Sequence, residues 1–302
     1  VAPSTKQDEL FATHRSMVFA IAYEILGARA DAEDVVQDTY LRWVGVDLDA
    51  VRSPKAYLAT IAGRTALNAL RTVARRREDY PGPWLPEPLV TDSEGPEQRL
   101  LMKEQLTYAL SVLLQQATPE QRAVFLLRDV FGLPYPAIAE AVGKTQAAVR
   151  QIALRARTRL TVGDRTPTVA EDTTVALTAF LDAVATGDLQ ALMDVLAPDA
   201  VLLSDGGGKV VAARKPIVGA GAIAAFLLRI ALPPTPDLTV GIGPLNGGPG
   251  ILIRSGTRLE LTVGVAVDGR GRITGVYLVR NPDKLREPAM PEPGGRTSPF
   301  RR

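Results

Sequence analysis

Through the first 78 residues apolar positions recur three and four places apart and strand-like alternation is absent, which predicts helices. The stretch Asp31 to Val44 gathers Ala32, Val36, Tyr40 and Trp43 into one stripe, and Ala56 to about Val73 gathers Leu58, Ala62, Ala66, Ala69 and Val73. Five prolines and two glycines between Pro81 and Pro96 break the pattern and predict an extended, semi-rigid connector. Helical periodicity returns from Glu97 to Leu160, and Thr161 to Pro167 ends it. The character then changes. One or two helices reach Leu196, followed by a strand around Val201 to Ser204 and a helix near Ala220 to Ile230. Strands over Leu238 to Ile242, Ile251 to Arg254, Arg258 to Val267 and Arg272 to Arg280 then form an antiparallel meander. Leu259, Leu261, Val263, Val265 and Val267 follow a period of two, so one face of their strand is buried.

This pattern predicts a multidomain chain: all-α domains at 1–78 and 97–163 joined by a linker at 79–96, an α+β domain at 168–283, and a tail at 284–302 that is disordered, or docked. The length of 302 residues by itself suggests roughly two domains at about 150 residues per domain. With no cysteine and one histidine, His14, disulfide frameworks, thiolate metal sites and cysteine nucleophiles are excluded, and no metal or cofactor is expected. No apolar run reaches the roughly 18 residues of a membrane span, so the expectation is a soluble, cytoplasmic protein without a membrane partner.

The formal net charge of +2 conceals segregation. Asp31, Glu33, Asp34, Asp38, Asp47 and Asp49 face only Arg42 in one block, whereas from Arg52 to Arg77 there is no carboxylate. On the helix from Ala56, residues Arg64, Asn68, Arg71 and Arg75 lie opposite the apolar stripe. With the Arg75-Arg76-Arg77 run and Tyr57 as a stacking surface, this face predicts nucleic acid as partner. Tyr135 to Leu154 reads as a helix-turn-helix: Ile138, Val142, Val149 and Ile152 pack, Gly143 makes the turn, and Thr145 caps the second helix. Gln146, Ala147, Arg150 and Gln151 then project toward a major groove, and Lys144 beside them is a further expected DNA contact. Arg155, Arg157 and Arg159 fall on phosphate or a structural ion pair. The acidic helix repels DNA and suits a basic or mixed protein surface.

Asp31-Ala32-Glu33-Asp34-Val35-Val36-Gln37-Asp38, Ser53-Pro54-Lys55-Ala56-Tyr57-Leu58, and Gly132-Leu133-Pro134-Tyr135 through Arg155-Ala156-Arg157 resemble, in order and spacing, an extracytoplasmic-function (group IV) sigma factor. The resemblance implies that Asp34, Gln37, Asp38, Leu41 and Arg42 dock on core RNA polymerase. The basic helix would then open and read a promoter's minus-ten element, and the helix-turn-helix would read minus thirty-five. Pro134 and Pro136 depart from the family's acidic or polar residues, which predicts a shifted or shortened start of that helix. Trp84-Leu85-Pro86-Glu87-Pro88, Asp205-Gly206-Gly207-Gly208-Lys209 and Asn281-Pro282-Asp283-Lys284-Leu285 resemble the subgroup with a fused SnoaL-like domain, a cone with a curved antiparallel sheet. Trp84, Leu85 and Pro86, the loop Asp205 to Lys209, and Asn281 with Asp283 are therefore the expected interdomain regulatory contacts. Gly206 to Gly208 are expected in a tight strand-to-strand turn.

In the C-terminal domain Glu260 and Tyr277 are the acid–base candidates, but with Glu260 on the exposed phase of its strand they make no convincing pair, and no catalytic residue is assigned. A small-molecule ligand of that domain is left open without an identity. The expected function is promoter-directed transcription initiation modulated in cis by the appended domain. The alternatives are a one-component helix-turn-helix regulator, or a DNA-binding module fused to a ketosteroid-isomerase or cyclase-like enzyme.

Overall fold

A computed structural model describes residues 5–90, 106–161, 170–230 and 237–286; for residues 5, 71–76, 78, 161 and 170 it describes the backbone alone. Helices α1 (Thr5–Leu26), α2 (Arg29–Trp43) and α3 (Pro54–Glu78) pack around Trp43, whose indole donates to the Gln7 carbonyl at 2.9 Å. Ser53 caps α3 by accepting from the Ala56 amide, with Pro54 where no amide is needed. Helices α4 (Tyr108–Gln115), α5 (Pro119–Phe125), α6 (Tyr135–Val142) and α7 (Gln146–Thr161) follow. Thr118 and Gln121 close a reciprocal cap on α5. Gly143 ends α6 at φ 67°, and Thr145 accepts from the Ala148 amide at the start of α7. Pro136 lies in the first turn of α6, an eight-residue helix that starts at Tyr135.

The two helical units do not stand apart as the proline-rich connector suggested. One apolar core runs from Trp43 and Leu58 through Leu114 and Leu127 to Ile138 and Val149. Gly63 of α3 allows this approach, since a Cβ there would lie 3.2 Å from Leu127.

The C-terminal domain is the expected α+β cone. Its helices are α8 (Ala170–Thr186), α9 (Leu189–Val195) and α10 (Ala220–Ile230). Its strands are β1 (Leu196–Asp205), β2 (Ile217–Val218), β3 (Leu238–Leu245), β4 (Gly248–Ser255), β5 (Arg258–Val267) and β6 (Ile273–Val279). They form one sheet in the order β2-β1-β6-β5-β4-β3, antiparallel except for the β1–β6 pair. Register shifts in the β1–β6, β4–β5 and β5–β6 pairings bend it. Leu177, Phe180, Leu192, Ile223 and Leu227 pack with Val263, Val265, Val276 and Leu278.

Two expectations need correction. Thr262 and Gly264, on the phase of β5 opposite Val263 and Val265, are buried as well. That face is covered by α4: the Tyr108 ring lies over Gly264, where a Cβ would come within 2.5 Å of it, and Tyr108, Val112 and Leu85 join Leu252, Leu259, Tyr277 and Val279 in a second apolar cluster. Gly206 to Lys209 form a turn closed by the Lys209 amide on the Gly206 carbonyl at 3.0 Å, but β2 begins only at Ile217, so this is no tight hairpin.

Candidate nucleic-acid interface

On α3 the exposed Arg64 and Asn68 lie opposite the buried Leu58, Ala62 and Ala66, as the periodicity predicts. The side chains of Arg71, Arg75 and Arg76 lie outside the described residues. Tyr57 is only half available as a stacking surface: its ring sits 5.9 Å from that of Trp43. Arg77 leaves the expected DNA set. Its guanidinium donates to the Leu26 carbonyl and, at 3.0 Å, to Gln115 Oε1, and lies 3.5 Å from the centre of the Trp84 ring. The last turn of α3 meets α1, α4 and the linker there, so protein groups take up the charge.

Lys144, Gln146, Arg150, Gln151 and Arg155 are all exposed along the turn and the outer side of α7, while Val149 and Ala153 face the core. Lys144 pairs with Glu120 at 3.1 Å, an exposed contact of small energy. Arg157 is held by Asp129 at 2.6 Å, which raises its pKa, so it takes the structural-ion-pair role. Arg150 rests 5.4 Å from the Tyr135 ring centre.

On α2, Asp34, Gln37, Asp38, Leu41 and Arg42 are exposed, with Leu41 at 67% the most conspicuous apolar side chain of this surface. Gln37 and Leu41 border a shallow depression with Phe11, Val36 and Tyr40. Arg42 also reaches across to the Thr65 hydroxyl on α3.

The three stretches expected between domains come together around one carboxylate. Asp205 is wholly buried and accepts from Tyr80 Oη at 2.5 Å, the Leu85 amide at 2.9 Å, Lys284 Nζ at 2.8 Å and the Gly207 amide at 3.0 Å. Burial pushes the Lys284 ammonium down to about 8, against the attraction of Asp205. The Tyr80 hydroxyl is pushed up by burial and by its bond to Asp205. Asn281 donates to Tyr80 Oη at 2.8 Å and lies against Gly207, while Gly208 receives the Pro81 ring. Lys209 and Asp283 form an ion pair at 2.5 Å that holds Asp283 below the usual carboxylate range. Gly206 is closed in by the Val210 carbonyl and Ala212, and Pro86 accepts from the Tyr108 hydroxyl at 2.7 Å. Of the two alternatives for the tail, disordered or docked, its start takes the second, with Lys284 on Asp205 and Leu285 buried. Residues 287–302 lie outside the described residues.

Trp84 packs on Gly27, which ends α1 at φ 71°, and a Cβ at Gly27 would run into the indole. Gly27→Ala is expected to strain the backbone by about 1–2 kcal/mol and to push Trp84 off its seat. Its emission should shift to the red beside that of the buried Trp43, the second of two tryptophans. An unchanged spectrum and stability would contradict this packing.

Three contacts were not expected from sequence. Asn246 at φ 53°, at the β3–β4 turn, donates to Tyr23 Oη at 2.8 Å, accepts from the Leu89 amide at 3.0 Å and donates through its own amide to the Leu89 carbonyl at 2.7 Å. The adjacent Gly247 amide donates to the Leu106 carbonyl at 3.0 Å, so one hairpin tip ties α1, the linker and the approach to α4. The Asn-Gly pair was the visible signal, but a signal of a turn only. Arg122 on α5 spans the helical units, donating to the Ile25 carbonyl at 2.6 Å and the Leu114 carbonyl at 3.0 Å. Glu24 on α1 is buried against Ser111.

Glu260 is held by Arg258 in an exposed pair, and Tyr277 packs against Tyr108 with ring centres 6.5 Å apart. Among the described residues no group of three or more His, Cys, Asp or Glu could hold a metal ion. No described helix is long and apolar enough to cross a membrane.

Residues 10–77 match the Sigma-70 region 2 family and residues 108–160 the Sigma-70, region 4 family. The chain is 33% identical to the ECF RNA polymerase sigma factor SigJ of Mycobacterium tuberculosis, over 91% of this chain and 92% of that one. It is 27% identical to the probable ECF RNA polymerase sigma factor SigI of the same organism, over 93% and 95%. The crystal structure of Mycobacterium tuberculosis SigJ superposes with a TM-score of 0.71 at 30% identity, covering 91% of this chain and 96% of that chain.

Proposed function

Because this chain belongs to the extracytoplasmic-function RNA polymerase sigma factors, we propose that α2 docks on core polymerase, that Arg64 and Asn68 of α3 meet the minus-ten element, and that α7 reads minus thirty-five through Gln146, Arg150 and Gln151. The C-terminal domain acts as the regulator in cis. One observation carries this: both candidate reading faces are exposed, yet the units bearing them share a single core. The two promoter elements lie roughly 25 base pairs apart, about 85 Å at 3.4 Å per pair. Helix α3, at 25 residues, is only about 38 Å long, and α6 packs directly against it. Holding both elements at once requires the units to separate. The contacts that oppose separation are the shared core of the two helical units and the Arg122 bridge, to which the C-terminal domain adds Asp205, Asn246 and the sheet face under Tyr108. The compact arrangement, with one shared core, is on this reading the closed member of a two-state equilibrium that polymerase and promoter shift.

On this reading the appended domain is a binding surface and not an enzyme, since Tyr277 is covered by Tyr108 and Glu260 is engaged by Arg258. The protein works in the cytoplasm, where polymerase and promoter are. Promoter-specific run-off transcription with core polymerase tests the proposal, comparing the full chain with one ending at Asp164. Both are expected to direct initiation from the same start site, with different output. Absence of a promoter-specific product from both would overturn it.

A further inference from the structure

Among the described residues, Glu24 is the one acid that is wholly buried and keeps a carboxylate oxygen with no partner. It sits on α1 at the seam with the second helical unit. Its Oε1 accepts from Ser111 Oγ of α4 at 3.0 Å, and its backbone carbonyl accepts from Gln115 Nε2 at 3.5 Å. No ion pair to its carboxylate is described, and the hydrogen bonds described for the neighbouring charged groups go to other acceptors. Arg122 of α5 gives its donors to the carbonyls of Ile25, Leu114 and Gln115, and Arg77 of α3 gives its own to Leu26 and Gln115. On α1 itself the Tyr23 hydroxyl is turned to the Glu87 carbonyl at 2.6 Å. In the linker the Glu87 carboxylate accepts from the Arg29 amide at 2.8 Å. The cover over Glu24 is thus made by α4 and α5, the elements that must leave when the units part.

We propose that Glu24 is a proton-operated latch: closing the seam between the two helical units takes up a proton on its carboxyl, and opening the seam releases it. This rests on the reading that the units separate. Burial pushes the Glu24 carboxyl from 4.5 up to about 8, outweighing the Ser111 hydroxyl, the Leu106 amide and the Arg122 charge, which pull it down. In solvent it returns to the ordinary carboxylate range. Below that range both states hold the proton, and above about 8 neither does. Between these limits the closed state binds one proton more, so opening gains about tenfold per pH unit.

The neighbouring groups act outside this window or in the same sense. Arg122, lowered by burial to about 9, and Lys284, lowered to about 8, regain protons on release and oppose opening only at more alkaline pH. Tyr23 is raised far beyond it by burial. Burial raises Glu87, so its release would add to the effect, and it needs its own control.

The chain has no native cysteine, so Asp49→Cys and Glu140→Cys, both exposed, can carry a donor and acceptor dye on the full chain. Energy transfer is titrated with core polymerase and promoter DNA between pH 6 and 8. The polymerase concentration giving half opening is expected to fall steeply with pH, approaching tenfold per unit. Glu24→Gln, and Glu24→Met as a second uncharged variant, should remove that slope relative to the parent, while Glu87→Gln should retain it. Opening with the same slope in both Glu24 variants overturns the latch alone. No change in transfer at saturating polymerase overturns the separation reading and the latch with it.

Discussion

Asp205→Ala is expected to destabilise the chain by about 3–5 kcal/mol, because it leaves the buried Lys284 ammonium without its counter-charge and the Leu85 amide without an acceptor. The loss is not confined to one pair. Tyr80 and the Gly207 amide bind the same carboxylate, so a single truncation releases the linker, the glycine loop and the start of the C-terminal segment together. Asp205→Asn keeps the shape and one acceptor oxygen and should cost less. Urea denaturation followed by tryptophan emission gives the stability, and run-off transcription gives the consequence for promoter output. If both variants unfold like the parent and transcribe like it, the clasp does not hold the closed state.

Arg122→Met is expected to cost about 3 kcal/mol or more and to loosen the seam between the helical units specifically. The guanidinium sits at the C-terminal ends of two helices, where carbonyls lack intrahelical donors and a positive charge is favoured. It serves Leu114, Gln115 and Ala117 at the end of α4 and Ile25 near the end of α1, so methionine fills the volume but strands several buried acceptors. Hydrogen exchange should show the protection of α4 falling while that of β5 and β6 holds. Uniform loss across all elements would instead mean that Arg122 supports the fold as a whole.

Much of this was legible locally. The stripes on α2 and α3, the caps at Ser53 and Thr145 and the turn at Gly143 all depend on neighbours a few residues away, and the exposed residues of α7 follow from them. Arg77 was misassigned because it ends a run of three arginines that are chemically alike. Only the meeting of α1, α4 and Trp84 around it sets it apart. A period of two in β5 located one buried face through Val263, Val265 and Val267, but a register shift at its start turns Leu259 to the opposite cluster, and burial of that face depends on a helix more than a hundred residues earlier settling over Gly264. Asn246-Gly247 announced a turn, while its partners Leu89 and Tyr23 lie 157 and 223 positions away. Such contacts have no local periodicity to betray them.

A sheet greasy on both sides has an implication for how this polypeptide tolerates scission. If a protease nicked the backbone between Thr161 and Ala170, each half would inherit one wall of a dry seam, and docking would pass from an intramolecular event to one governed by dilution. The short tether therefore does thermodynamic work: it keeps the local concentration of the covering helix high, whatever the abundance of the protein in the cell.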